Sequence, residues 1–309
     1  MFSSFLTIGQ QVLILFLLIG VGFILGKLHV MDAQFSRSLS NLVLTLVVPC
    51  ITIVSFQRPL EQESLSQFGT IMAISVVVHA LNMLLAHGIL RKKDELQPLL
   101  QFSVVFSNCA FMAYPLLTAL LGASGVFLGS AYVAVFNVLT WTYGVVLMTG
   151  DRRQLSIKKA VLNPGVLGVV IGLALYLLQI SLPTVILSPM QYISNLNTPL
   201  PMLIVGYQLS QVDLRHTLRS VRCWLSMVLR LVVVPLLTLG ICLLIGTAPS
   251  VTLAVVITSS APAAAALSMY AARFGKDTEF ASSIVSTHTL FSALTMPLIV
   301  TLAQYLLHN

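Results

Sequence analysis

Apolar residues fall in long runs along this chain, and short polar or charged segments separate one run from the next. A helix that crosses a bilayer needs about 20 mostly apolar residues. By this criterion the sequence predicts an all-α polytopic membrane protein. The ten predicted spans, numbered 1 to 10 in chain order, are residues 8–27, 36–57, 66–90, 97–121, 124–149, 161–180, 185–209, 220–246, 250–272 and 279–306.

Two of these spans are interrupted at corresponding places. In span 4 an apolar run leads through Ser107, Asn108 and Cys109 to Pro115, and in span 9 a similar run leads through a small polar cluster to Pro262. The two segments lie 151 residues apart. Proline removes a helical hydrogen bond, and backbone groups freed in a bilayer need a cavity or a protein partner. Paired broken helices therefore indicate the binding site of a transporter.

The two halves of the chain, 1–150 and 151–309, also match in their glycines and prolines. Gly22 and Gly26 of span 1 correspond to Gly168 and Gly172 of span 6 at an offset of 146 residues. Pro49 corresponds to Pro199 at an offset of 150. Five spans per half place the second half upside down, so the sequence predicts a 5+5 inverted repeat. The glycines have a second explanation, since small residues four apart also allow close helix packing.

The basic residues predict the orientation. If the N-terminus is outside, the inner loops hold 14 of the 16 lysines and arginines, while Arg58 lies outside and Arg230 lies within span 8. Cytoplasmic loops carry such an excess, so we expect both ends to be outside. The net charge of +7 is then a topology signal and does not indicate nucleic acid.

Composition excludes a soluble protein and gives no sign of catalysis. The chain of 309 residues is 57% hydrophobic and 8% charged, whereas soluble domains carry about 25% charged residues. Eight of the nine acidic residues lie outside the predicted spans, and the ninth, Glu279, is the first residue of span 10. Four scattered cysteines, Cys50, Cys109, Cys223 and Cys242, form neither a metal-binding spacing nor a disulfide framework. We therefore expect no enzyme activity, no cofactor and no metal.

The breaks supply the candidate binding residues. Helix N-termini favour anions, because their free N–H groups and the helix dipole both attract negative charge. Asn108 can donate to a carboxylate, whereas the hydroxyls have an alternative role in bonding to their own helix. The predicted substrate-binding residues are Ser107, Asn108, Cys109, Pro115, Thr258, Ser259, Ser260 and Pro262.

Four further residues are candidates for coupling or for attracting an anion. Arg230 either reaches towards the inner headgroups or attracts the substrate. His288 corresponds to Asn137 at the same offset of 151 and is either a proton relay or a hydrogen-bonding partner between helices. His79 in span 3 has the same two interpretations. Without a carboxylate in the interior of any span, the polar groups favour an anionic substrate over a cation.

Three segments resemble motifs of the auxin efflux carrier family: Asn41–Pro49, Asn108–Pro115 and Ala261–Asp277. The resemblance implies a ten-helix carrier with a scaffold of spans 1, 2, 6 and 7, often a dimer interface. Spans 3–5 and 8–10 would form a moving transport domain. Plant members have proline where this chain has Ser107, and glycine where it has Ala113. Family members carry auxin in plants, and bacterial members are assigned to malate, malonate and related carboxylates.

Together these features predict a secondary carrier for a small organic anion, a mono- or dicarboxylate, in a bacterial inner membrane. Transport would proceed by alternating access of the elevator type, driven by the membrane potential or by a proton carried through His288. We expect a homodimer formed through the scaffold spans. Two alternatives stay open: a sodium-coupled carrier of the bile-acid-transporter kind, and a non-transporting membrane sensor with the same fold.

Overall fold

The computed structural model describes residues 2–154, 157–212 and 217–308, and its elements in these ranges are helical. Asp213 and Arg215, which the sequence assigns to an inner loop, lie outside them. In chain order the α-helices are α1 (Phe2–Lys27), α2 (Ala33–Leu42), α3 (Val48–Ser55), α4 (Gln62–Ile89), α5 (Gln97–Val105), α6 (Ala113–Leu139), α7 (Val145–Thr149), α8 (Ile157–Val161), α9 (Pro164–Leu177), α10 (Thr184–Ser194), α11 (Pro199–Ser210), α12 (Val221–Val228), α13 (Val234–Ile245), α14 (Pro249–Ser260), α15 (Ala266–Arg273) and α16 (Thr278–His308).

Six helical stretches of the described chain are long and apolar enough to cross a membrane. They are Gly9–Lys27, Ala33–Ser55, Gln62–Ile89, Ala113–Thr149, Val221–Ile245 and Thr278–Leu307. Two shorter apolar helices, α9 and α14, fall within predicted spans 6 and 9. The helices therefore confirm a polytopic membrane protein.

Two π-helical turns inside the long stretches lie just before a proline, and a glycine bends a third stretch. A π-helical turn, Val43–Val47, joins α2 to α3 just before Pro49, and another, Leu229–Val233, joins α12 to α13 just before Pro235. A wider turn accommodates the missing N–H of proline. Gly122 has φ 62° and ψ −150°, so the chain of α6 turns there. This turn separates the residues predicted as span 4 from those predicted as span 5.

The glycine pairs lie at close helix contacts, in agreement with the packing explanation of the sequence motif. A Cβ on Gly22 would lie 2.3 Å from the Leu203 carbonyl oxygen, so α1 and α11 approach at backbone distance. A Cβ on Gly168 would lie 2.9 Å from Pro49 Cα, and one on Gly172 would lie 2.6 Å from the Phe56 ring. The first glycine pair thus packs span 1 against span 7, and the second packs span 6 against span 2.

Candidate functional site

The two interruptions meet and satisfy each other's backbone. Residues 106–112 separate α5 from α6, and residues 261–265 separate α14 from α15. Asn108 N donates to the Pro262 carbonyl at 2.7 Å, and Ala264 N donates to the Phe106 carbonyl at 2.9 Å. Ser107 and Ala263 form an antiparallel bridge at this point. The pairing places polar backbone groups in contact inside the protein, as a low-dielectric surrounding requires.

Arg230 binds the two helix ends that lead into the bridge. Its Nη1 donates to the Val104 carbonyl at 2.9 Å, and its Nη2 donates to the Ser259 carbonyl. These carbonyls belong to the last turns of α5 and α14, where the helix dipole is negative. The side chain is fully buried, so it does not extend to the headgroups. The charge stabilises both C-termini at once.

A cavity of about 50 Å³ lies where the chains leave the bridge. From the broken segments it is lined by Ser107, Asn108, Cys109, Ala110, Phe111, Ala264, Ala265 and Ala266. These residues lead into the N-termini of α6 and α15. In the described chain, the N–H groups of Cys109, Ala110 and Phe111 make no backbone hydrogen bond. Two positive helix ends therefore face one small cavity.

Unpartnered side chains also surround this cavity. Asn108 is 5% exposed, and its Nδ2 has no hydrogen-bond partner among the described residues. The same holds for the Ser107 hydroxyl and for Gln208 Oε1, which reaches the cavity from α11. Buried polar atoms are normally paired, so atoms left without partners at a cavity indicate that a ligand or water completes them.

A second cavity of about 220 Å³ adjoins the first and shares Leu44, Ala110, Phe136, Ala266 and Met269 with it. Its further lining includes five amide or hydroxyl side chains and two aromatic rings, namely Asn41, Thr45, Asn137, Thr140, Asn163, Trp141 and Tyr270. Neither cavity is lined by an acidic residue. The two cavities lie between the broken helices and the helices α2, α9 and α11, and no charged side chain lines them.

A family model described as "Membrane transport protein" matches residues 7–300. The chain belongs to this family. The matched family is the auxin efflux carrier family, whose motifs the sequence resembles. Membership in this family identifies the chain as a multi-pass membrane transporter and not an enzyme.

Two relatives carry transporter names. An uncharacterized transporter of Methanothermobacter thermautotrophicus is 25% identical over 94% of this chain and 96% of its own length. An uncharacterized transporter of Methanocaldococcus jannaschii is 25% identical over 66% of this chain and 70% of its own.

The transporter's two polar clusters have different environments. Ser107, Asn108 and Cys109 line the small cavity, and Pro262 contributes its carbonyl to the bridge. Pro115 is buried in the first turn of α6, behind the cavity. In contrast, the three hydroxyls of the second cluster donate to carbonyls of their own helix and line neither cavity: Thr258 to Ala254, Ser259 to Val256 and Ser260 to Ile257, at 2.8, 3.1 and 3.0 Å.

From the second half, the alanine run after Pro262 lines the cavity, whereas the predicted side chains of Thr258, Ser259 and Ser260 do not. Ala264, Ala265 and Ala266 occupy the position that the hydroxyls of span 9 were expected to fill. The sequence signal for this was the alanine run after Pro262, because small side chains leave N–H groups accessible. No sequence pattern indicated Gln208, since the approach of its side chain to the cavity depends on how α11 packs.

The coupling candidates occupy separate environments. Asn137 borders the larger cavity, and its Nδ2 donates to the Val133 carbonyl at 3.0 Å. His288 is buried with its Nε2 3.4 Å from the Ser226 hydroxyl of α12. His79 is fully buried, its Nδ1 lies 2.7 Å from the Ser75 carbonyl, and its ring centroid is 5.0 Å from that of Tyr132. Neither histidine lines either cavity.

No group of three His, Cys, Asp or Glu side chains within the described ranges is arranged to hold a metal ion.

Proposed function

We propose that this transporter is a secondary active carrier that moves a small organic anion with a carboxylate group by alternating access. The observation that carries the proposal is the small cavity, on which two helix N-termini and the unpartnered amide of Asn108 converge. Each N-terminus acts as about half a positive charge. Hydrogen bonds to a charged group contribute about 1.5–3 kcal/mol each, so a few such donors suffice for a binding site.

The position of the cavity supports movement of the elevator type. One wall consists of the broken segments, and the other consists of Ser40, Leu44 and Gln208 from the region of α2 and α11. The first wall belongs to the proposed transport domain, spans 3–5 and 8–10, and the second belongs to the proposed scaffold, spans 1, 2, 6 and 7. A substrate held at such a boundary crosses the membrane when one wall slides past the other.

The larger cavity supports an inward-facing state. It reaches Asn163, the last residue of the basic loop Asp151–Asn163, and Pro164 and Gly165 directly after it. In the proposed topology, with ten spans in a 5+5 inverted repeat and both ends outside, this loop is cytoplasmic. The carrier would then lie in a bacterial inner membrane as a homodimer formed through its scaffold spans. The membrane potential supplies about 2.3 kcal/mol per charge per 100 mV as a driving force.

Uptake into proteoliposomes tests the proposal directly. Radiolabelled malonate, malate, lactate and indole-3-acetate are offered to wild type, Asn108→Ala and a matched control, Asn195→Ala, whose side chain is exposed. Loss of one hydrogen bond to a carboxylate should lower uptake at subsaturating concentration by roughly 10- to 100-fold in Asn108→Ala. The control should keep wild-type rates.

Three outcomes would count against it. Wild-type uptake by Asn108→Ala would place the substrate elsewhere. Strict dependence on sodium would favour the sodium-coupled alternative, and ligand-induced thermal stabilisation without flux of any acid would favour a membrane sensor.

A further inference from the structure

Arg230 is a buried cation without an acidic partner. It is fully buried, and among the described residues no carboxylate lies within ion-pairing distance of it. In the sequence, eight of the nine acidic residues lie outside the predicted spans, and the ninth, Glu279, is the first residue of span 10. An unpaired charge at membrane depth is costly and is usually retained for function. The structure therefore leaves the counter-ion of Arg230 to be supplied from outside the protein.

The groups around Arg230 do not provide that counter-ion. Its charge acts on His79, Cys109, Tyr132 and His288, which are neutral in their ordinary protonation states near pH 7. The carbonyls of Val104 and Ser259 carry the negative ends of α5 and α14. Those two half-charges are matched by the positive ends of α6 and α15 on the other side of the bridge. The crossing as a whole therefore keeps one positive charge.

We propose that a monoanionic substrate is the mobile counter-ion of Arg230. The loaded transport domain then moves through the bilayer with no net charge, and the empty domain moves with one positive charge. This inference rests on the proposed function and adds a charge rule to it. A monoanion balances Arg230, whereas a dianion leaves one negative charge and a neutral acid leaves one positive charge.

The rule predicts which step of the cycle responds to voltage. Because the loaded domain is neutral, exchange of labelled for unlabelled monoanion should not depend on the membrane potential. Return of the empty domain moves a charge through the field. If that charge crosses the full field, 100 mV changes the balance of the two empty orientations by about 50-fold. Net transport should therefore depend on voltage even where exchange does not.

Charge movement by the empty carrier tests this without a substrate. Voltage steps are applied to membranes that contain wild type, Arg230→Gln, Arg230→Lys or the control Arg91→Gln, whose arginine is exposed in the segment after α4. Wild type, Arg230→Lys and Arg91→Gln should show a transient current of up to one elementary charge per protein. The charge moved in the transient of Arg230→Gln should be at least five-fold smaller than in wild type. A purely structural role for Arg230 would not make Arg230→Lys and Arg230→Gln differ in this way.

Anions of known valence complete the test. Saturating lactate, the monoanion probe, should suppress the wild-type transient, and malonate, a dianion at pH 7.5, should not. If Arg230→Gln does not give a monodisperse protein, the test is made on wild type alone, by whether the transient occurs and whether lactate but not malonate suppresses it. Absence of a transient in wild type, or an equal charge in folded Arg230→Gln, would overturn the inference. Flux together with a voltage-independent empty carrier overturns only this inference, whereas absence of flux for every acid overturns the proposed function.

Discussion

Asn108 and Arg230 serve opposite faces of one backbone bridge. Arg230 donates to the carbonyls of Val104 and Ser259, which precede the bridge in each half of the chain. Asn108 follows the bridge and leaves its Nδ2 free at the cavity. A single cation thus stabilises the two negative helix ends, while the positive ends stay available for an anion.

The sequence predicted ligand-binding roles for the Asn108 amide and for the hydroxyls of span 9, and the structure gives these two groups different surroundings. An asparagine in a broken helix has two polar groups and few local partners, so its functional interpretation is favoured from sequence alone. Serine and threonine can bond to a carbonyl one turn back, as Thr258, Ser259 and Ser260 do. The capping of two helix ends by Arg230 could not be predicted, because it depends on how α12 packs against both halves.

An ion pair at the predicted cytoplasmic end should make stability depend on pH. Arg222 Nη1 lies 2.5 Å from Asp94 Oδ2, and hydrogen bonding to Arg222 holds the pKa of the Asp94 carboxyl below its ordinary value. The stabilisation is present above the unfolded-state pKa of about 4 and is lost as the pH falls through the lowered folded-state value. Asp94→Asn should remove this loss of stability at low pH, and it should lower the free energy of unfolding at pH 7 by about 1 kcal/mol or less.

Thermal unfolding in detergent from pH 7 to pH 3 measures the effect. Glu95→Gln is the matched control, since that side chain is exposed next to Asp94. An acid transition in Asp94→Asn identical to that of wild type would show that the pair contributes nothing.

At the scale of helices, the packing of α1 against α11 depends on close contacts at glycines. A Cβ on Gly206 would lie 2.0 Å from the Ile19 carbonyl oxygen and 2.7 Å from Phe23 N. Backbone atoms cannot move aside as a flexible side chain can, so Gly206→Ala must separate the two helices. We expect a loss of about 1–3 kcal/mol, the usual cost of overpacking.

Gly20→Ala on the partner helix α1 provides the control, because nothing lies within 4 Å of its Cβ position. That substitution should leave the melting temperature unchanged or raise it, since alanine favours helix over glycine. Thermal unfolding of both variants in one detergent measures the contrast. Equal melting temperatures for the two would contradict the described contact.

The sequence predicted the existence of both breaks but not all of their geometry. Proline and a polar cluster indicate where a helix loses its regular bonds, and α5 and α14 do end there. The pairing of Asn108 N with the Pro262 carbonyl is a contact between distant segments and has no local signal. The turn at Gly122 is similar, because a glycine in an apolar run fits both a helix and a bend.

For the whole molecule, the apolar runs predict ten spans, whereas six helical stretches of the described chain are long and apolar enough to cross a membrane. α9 has 14 residues and is about 21 Å long, which is less than the roughly 30 Å of a bilayer core. α14 has 12 residues because the break shortens it. The run patterns predict complete spans at both places, since each run continues past the helix end. The ten-span topology stays a prediction that follows from these runs and from the basic loops.

Alternating access of the small cavity is the central claim, and labelling of one residue from both membrane faces tests it most directly. Ala110 lines both cavities and is a suitable site for cysteine in a chain whose four native cysteines are replaced by alanine. Right-side-out and inside-out vesicles are treated with an impermeant maleimide, with and without transported anion. We predict that Ala110→Cys reacts with the maleimide from both the cytoplasmic and the outer face. The ratio of labelling from the two faces should change when the transported anion is added. Reaction from a single face under every condition, in a variant that remains folded, would contradict the account.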